Sequence, residues 1–258
     1  RRRLVDAGAA GTPDDADTLV AIAAEAGLLA GSDRTWTITE AGATWLGTRT
    51  VERWVDVAHR LRERLPDALR APEGGWRAPA EWPGAHPFDP AWPDRVRRLA
   101  AMLTQWAMLT PDGSSPKWAE GLTVGDDADI DALRALLPHE VDKVYLQNDL
   151  TAIAPGPLEP QLDQRLRTTA RRESRAQAAT YRFTAATIGA AFAGGETASS
   201  LTAFLTELSL TGVPQPLAYE IERAAARHGT LRVGLDRQGY TRISGDRDLL
   251  QAINVDHA

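Results

Sequence analysis

The stretch VYLQNDLTAIAPGPL, Val144–Leu158, changes the texture of the chain. Val144–Gln147 and Leu150–Ala154 read as two short strands, or one bulged strand, around Asn148-Asp149, since Asn and Asp both support tight turns. Pro155-Gly156-Pro157 ends the pattern. Such a stretch opens a domain and is not a loop that carries chemistry.

Downstream, the spacing predicts a helix near Gln161–Arg172, a strand at Thr180–Thr184, and helices around Ala186–Ala193 and Thr197–Ser209. After Pro214-Gln215-Pro216 another helix turns Leu217, Ile221, Ala224 and Ala225 inward, with Gly229 placed as its stop. TLRVGL and GYTRI suggest a hairpin, and Leu249, Leu250 and Ile253 a closing helix.

Upstream, Leu19, Ile22, Ala23 and Ala26 form one apolar stripe on a helix that begins near Asp17 or Thr18. Thr35–Thr39 alternates as a short strand or wing, and a longer helix follows with Val51, Trp54, Val55, Ala58, Leu61 and Leu65 on one face. Helix, turn, strand and helix is the order of a winged-helix-like module. From Pro66 to Pro93 there are seven prolines together with Trp76, Trp82 and Trp92, so no long regular element is expected, and the rings are expected to fasten the segment by packing. Val96, Leu99, Ala100, Leu103 and Ala107 then restore helical spacing.

The expected class is therefore α+β and predominantly helical, a winged-helix-like N-terminal part followed by a small mixed α/β C-terminal domain. The expected divisions are 1–65, winged-helix-like; 66–93, a Pro/Trp-rich connector; 94–143, helical and a candidate second winged-helix-like module; and 144–258, the C-terminal domain.

Among the 258 residues, 43% hydrophobic and 25% charged is ordinary for a globular protein. The chain starts Arg1-Arg2-Arg3 without Met, as a fragment would, and no apolar signal segment follows, so neither export nor a membrane anchor is expected and the location reads as cytoplasmic. Zero cysteines exclude disulfides, thiolate metal sites and thiol catalysis. A net charge of −6 opposes a broad nucleic-acid-binding surface but leaves room for a local patch.

Three pieces, VYLQNDLTAIAPGPL, then YRFT before an Ala-rich helix, then VPQPLAYEIERAAARHGTLRV, together resemble the helicase-associated domain of actinobacterial helicase-associated proteins. They are also similar to the N-terminal region of bacterial XPB-type helicases. The resemblance covers about Val144 to Ile253. It implies an accessory role beside a DNA-translocating motor, or in a standalone protein related to one, and supplies no active site.

The residues agree that the motor is elsewhere. A phosphate-cradling loop needs Gly-Lys-[Ser/Thr], whereas Lys117 follows Pro116 and Lys143 follows Asp142, and these are the chain's two lysines. Asp126, Asp127, Asp129 and Asp131 invite a calcium-loop reading, but the template counted from Asp127 needs Gly and Glu where Ala132 and Pro138 stand. Acids at a helix N-terminus explain them more simply. No metal, no cofactor and no enzymatic activity are expected.

One segment stands out by charge. Between Gln161 and Arg182, Arg165, Arg167, Arg171, Arg172, Arg175 and Arg182 face only Asp163 and Glu173, a local excess of four in an acidic chain. Two readings stand side by side: a phosphate-binding face, or a solvated face whose arginines pair with acids elsewhere. The N-terminal helix is the opposite case, since Thr18–Ala26 has no basic residue and Asp14, Asp15 and Asp17 precede it, which favours protein docking over groove reading. The expected partners are DNA, through weak phosphate contacts, and a helicase or repair protein; the alternative is a winged-helix scaffold or transcriptional regulator that works mainly through protein contacts.

Overall fold

The Thr12 hydroxyl accepts the Asp15 N–H while the Asp15 carboxylate accepts the Thr12 N–H, a reciprocal cap that starts the first long helix. The structure, a computed structural model, describes residues 1–32, 35–174, 178–228, 231–235 and 240–245. It is mostly helical with small β-sheets. Its two compact units are Arg1–Pro138 and His139–Ala258. All eight tryptophans belong to the first unit and all four tyrosines to the second.

In the first unit α1 (Arg2–Asp6) leads to α2 (Pro13–Glu25). Helix α2 begins four to five residues earlier than the apolar stripe suggested, because Pro13 sits in its first turn and Asp14 and Asp15 meet the positive end of its dipole. The hairpin β1 (Leu29–Ser32) and β2 (Thr35–Ile38) pairs Leu29 with Ile38 and Gly31 with Trp36. The expected longer helix is α4 (Thr50–Glu63), and a short helix that the spacing did not show, α3 (Glu40–Leu46), precedes it. Thr39 caps α3 by accepting the Gly42 N–H at 3.0 Å, and its hydroxyl donates back to the Gly27 carbonyl at 2.8 Å. Gly42 has no room for a side chain, since a Cβ there would lie 2.2 Å from the Leu28 carbonyl oxygen; the helix packs directly on hairpin backbone.

The Pro/Trp-rich segment holds two short 3-10 turns, Asp67–Leu69 and Pro79–Gly84. Its tryptophans are tied by backbone acceptors: Trp82 Nε1 donates to the Arg77 carbonyl and Trp92 Nε1 to the Trp82 carbonyl, both at 2.7 Å. Helix α5 (Trp92–Gln105) follows, then α6 (Glu120–Thr123) and α7 (Ile130–Leu136). Trp54 and Trp106 exchange bonds, each indole N–H donating to the other's carbonyl, at 2.7 and 3.0 Å, which clamps α4 to the end of α5. One apolar cluster includes Ile22, Val57, Leu61, Trp82, Trp92, Leu103, Met108 and Leu122, so residues before, within and after the Pro/Trp-rich segment share a core. Asp129 caps α7 by accepting the Ala132 N–H, and Asp131 pairs with Arg134, roles that account for two of the clustered acids.

In the second unit the opening stretch forms β3 (Tyr145–Leu146) and β4 (Thr151–Ala154). Gln147 donates to the Thr151 carbonyl and Leu150 to the Gln147 carbonyl, closing a tight loop in which Leu150 takes φ 63°. That left-handed position normally suits Gly. Helix α8 (Pro160–Thr169) follows, then β5 (Arg171–Arg172) and β6 (Ala179–Arg182). The expected helix through Arg172 thus ends three residues early. Thr168 and Thr169 turn their hydroxyls onto the Arg165 and Leu166 carbonyls, Ala170 becomes extended, and cross-strand pairing takes the two arginines.

The sheet is antiparallel in the order β3-β4-β6-β5. Helices α9 (Ala185–Ala193), α10 (Ala198–Leu208) and α11 (Gln215–Arg227) complete a core in which Val144, Leu146, Ala152, Tyr181, Leu201, Leu205 and Leu217 are buried. A hairpin of β7 (Leu231–Leu235) and β8 (Thr241–Gly245) pairs Val233 with Ile243. Gly229 and the expected closing helix at Leu249, Leu250 and Ile253 lie outside the described residues. No described helix is long and apolar enough to cross a membrane.

Candidate nucleic-acid interface

The arginine-rich segment does not stay together on one helix face. Arg165 and Arg167 lie on α8, Arg171 and Arg172 on β5, and Arg182 on β6; Arg175 is outside the described residues. Three separate groupings result.

Arg165 reaches the start of α10. Its Nε donates to Glu196 Oε1 at 2.9 Å, and its guanidinium carbon lies 4.3 Å from the centre of the Phe204 ring. The arginine, together with the Ser200 hydroxyl, holds the Glu196 carboxyl below the usual glutamate range. This grouping fastens α8 to α10 within the unit.

The second grouping surrounds Tyr181, whose hydroxyl donates to Asp163. Burial, and then that bond to a carboxylate, push the phenol above its ordinary range. Arg167 lies 3.7 Å from the same carboxylate. Arg172 donates to the Ser174 carbonyl at 3.1 Å, with its guanidinium 5.9 Å from the Tyr181 ring centre.

The third is different in kind. Arg171 and Arg182 are direct cross-strand partners, and both approach Glu173 Oε1, at 3.3 and 2.8 Å. Arg182, and then Arg171, hold the Glu173 carboxyl down, while the carboxylate raises Arg182 in return. Arg182 also donates to the Asp149 carbonyl at 3.3 Å, so the tight loop after β3 is tied to the arginine pair.

The register shows what lies beside that pair. Leu146, Ala152, Tyr181, Ala154 and Ala179 alternate onto the buried face. The opposite face therefore carries a row of Tyr145, Ile153 and Thr180 and, one row along, Arg182 and Arg171 beside Thr151, which is buried with its hydroxyl on Gln147 and Asp149. Charge counting does not single out Tyr145; the alternation of buried Val144, exposed Tyr145 and buried Leu146 does.

Comparison with known proteins meets this unit. A family model described as the helicase conserved C-terminal domain matches residues 144–258. It begins at the first residue of the stretch that opens the second unit, and it agrees with the helicase-associated resemblance carried by the same residues. No curated protein matches the chain.

Proposed function

We propose that this chain is a non-catalytic, XPB-like helicase-associated module of the cytoplasm that contacts DNA, positions a DNA helicase or repair partner, or does both. The observation that carries the reading is the helicase-domain match over 144–258, in a sequence whose two lysines both lack the phosphate-loop setting. Arg171 and Arg182, directly opposite each other across two strands with side chains 72% and 38% exposed, offer DNA a pair of neighbouring guanidiniums. The test joins two assays on the purified chain. Salt-sensitive binding to DNA without ATP hydrolysis is expected, and turnover above a mock preparation in the presence of DNA overturns the non-catalytic assignment.

The first unit favours a second reading, a winged-helix-like scaffold for protein contacts. Helix α2 has Asp14 and Asp15 in its first turn and no basic residue in its last, which suits phosphate poorly. Leu19, Ala23, Leu29, Ile38, Trp45 and Leu46 line an apolar cavity of about 240 Å³ beside it. Loss of partner binding on Ile38→Asp, with DNA binding intact, is the result this reading expects.

A further inference from the structure

The open face of the β3-β4-β6-β5 sheet combines features that the arginines alone do not explain. Tyr145 is 44% exposed although it sits on a strand between two buried residues. On its other side Val144 bridges to Ser209, with the Val144 N–H on the Leu208 carbonyl and the Leu210 N–H on the Val144 carbonyl. That pairing extends the apolar row laterally to Leu210, itself 54% exposed. The row runs Leu210, Tyr145, Ile153, Thr180, and the arginine pair closes its far corner.

Two rows of one sheet face are about 6.7 Å apart and neighbouring strands about 4.8 Å. Tyr145 and Arg182, two strands and one row apart, are thus on the order of 12 Å from each other, a span for a short extended strand and not for a single small anion. Each guanidinium has five N–H donors. Glu173 and the Asp149 carbonyl engage three of the pair's donors, leaving the others to further acceptors. Lys143, two residues before Tyr145, is held to α10, where its Nζ donates to the Glu207 carbonyl at 2.8 Å. Arg171 and Arg182 outnumber Glu173, the carboxylate they share, at this corner of a chain of net charge −6.

We infer that this face binds single-stranded nucleic acid, with a base stacked on Tyr145 beside Ile153 and Leu210 and the flanking phosphates on Arg182 and Arg171. The inference deepens the DNA-contacting reading above and rests on it. A flat aromatic platform next to forked cations suits bases already freed from a duplex, because only an unpaired strand can offer a π-face and its backbone at once. A duplex presents phosphates alone to such a surface, and the sheet face projects no helix into a groove.

The test uses the full chain and two labelled probes, a mixed-sequence single strand and a blunt duplex of the same length, followed by fluorescence anisotropy. The single strand is expected to bind more tightly. Tyr145→Ala should weaken it on the order of tenfold and leave the duplex unaffected, whereas Tyr145→Phe keeps the ring and the affinity. Arg171→Gln should lower the log–log salt slope on the single strand by about 0.7. Circular dichroism confirms that each variant is folded. If duplex and single strand bind alike and folded Tyr145→Ala changes neither, the stacking face is overturned while DNA contact stands. If neither probe binds at low salt, both readings fall and the face belongs to a protein partner.

Discussion

Arg171 and Arg182 stand directly opposite each other across β5 and β6 and share a single oxygen of Glu173. Like charges paired across strands repel, so the carboxylate offsets a cost that the register imposes. The same carboxylate competes with any phosphate that approaches. Glu173→Gln is therefore expected to raise the affinity for single-stranded DNA a few-fold and to steepen its salt dependence. Weaker binding in the folded variant would mean that Glu173 holds the two guanidiniums in their working positions.

Arg165 has the opposite role. Arg165→Ala removes the contact over Phe204 and the pair with Glu196, and is expected to cost about 1–2 kcal/mol in urea denaturation followed by circular dichroism, while DNA affinity stays unchanged. The sign with pH is set by Glu196, whose carboxyl is depressed in the fold chiefly by Arg165. Its contribution is present above the unfolded glutamate range and is lost as pH falls through the depressed value. The gap in stability between parent and variant should narrow in acid.

Trp82 is buried, and both its indole N–H and its carbonyl are engaged, the latter by Trp92. Trp82→Ala should destabilise the first unit by about 3–5 kcal/mol through the cavity it leaves. Trp82→Phe keeps most of the volume and should recover much of the loss, and equal losses from both variants would argue against a packing role.

Ala107 takes φ 55° just past α5, where the Met108 N–H closes on the Leu103 carbonyl at 2.8 Å. A residue with a Cβ is strained there, and Gly is not. Ala107→Gly is expected to raise stability by roughly 1 kcal/mol in the same urea titration; a loss would show that the Ala methyl contributes more by packing than its backbone strain removes.

These residues show what a linear reading can and cannot reach. Alternation at Val144–Leu146 and the Asn148-Asp149 turn place two strands where they occur, because period-two burial and turn chemistry are local. The start of α2 was hidden, because Thr12 and Asp15 form a cap that precedes the apolar stripe. The +4 segment was visible as a count, but its division was not. Glu196 lies 31 residues beyond Arg165, and only the fold brings the two together. Tyr145 could be found by burial parity and not by charge.

The placement of every tryptophan in Arg1–Pro138 and every tyrosine in His139–Ala258 gives the chain two separate optical reporters. Light absorbed by indole alone follows the melting of the first unit, whose rings Trp76, Trp82 and Trp92 are buried and therefore shift strongly in emission when water reaches them. Replacing Tyr219, exposed on α11, with Trp would give the second unit an indole of its own, so that the order in which the two units lose structure becomes readable from one unlabelled protein by comparing this variant with its parent.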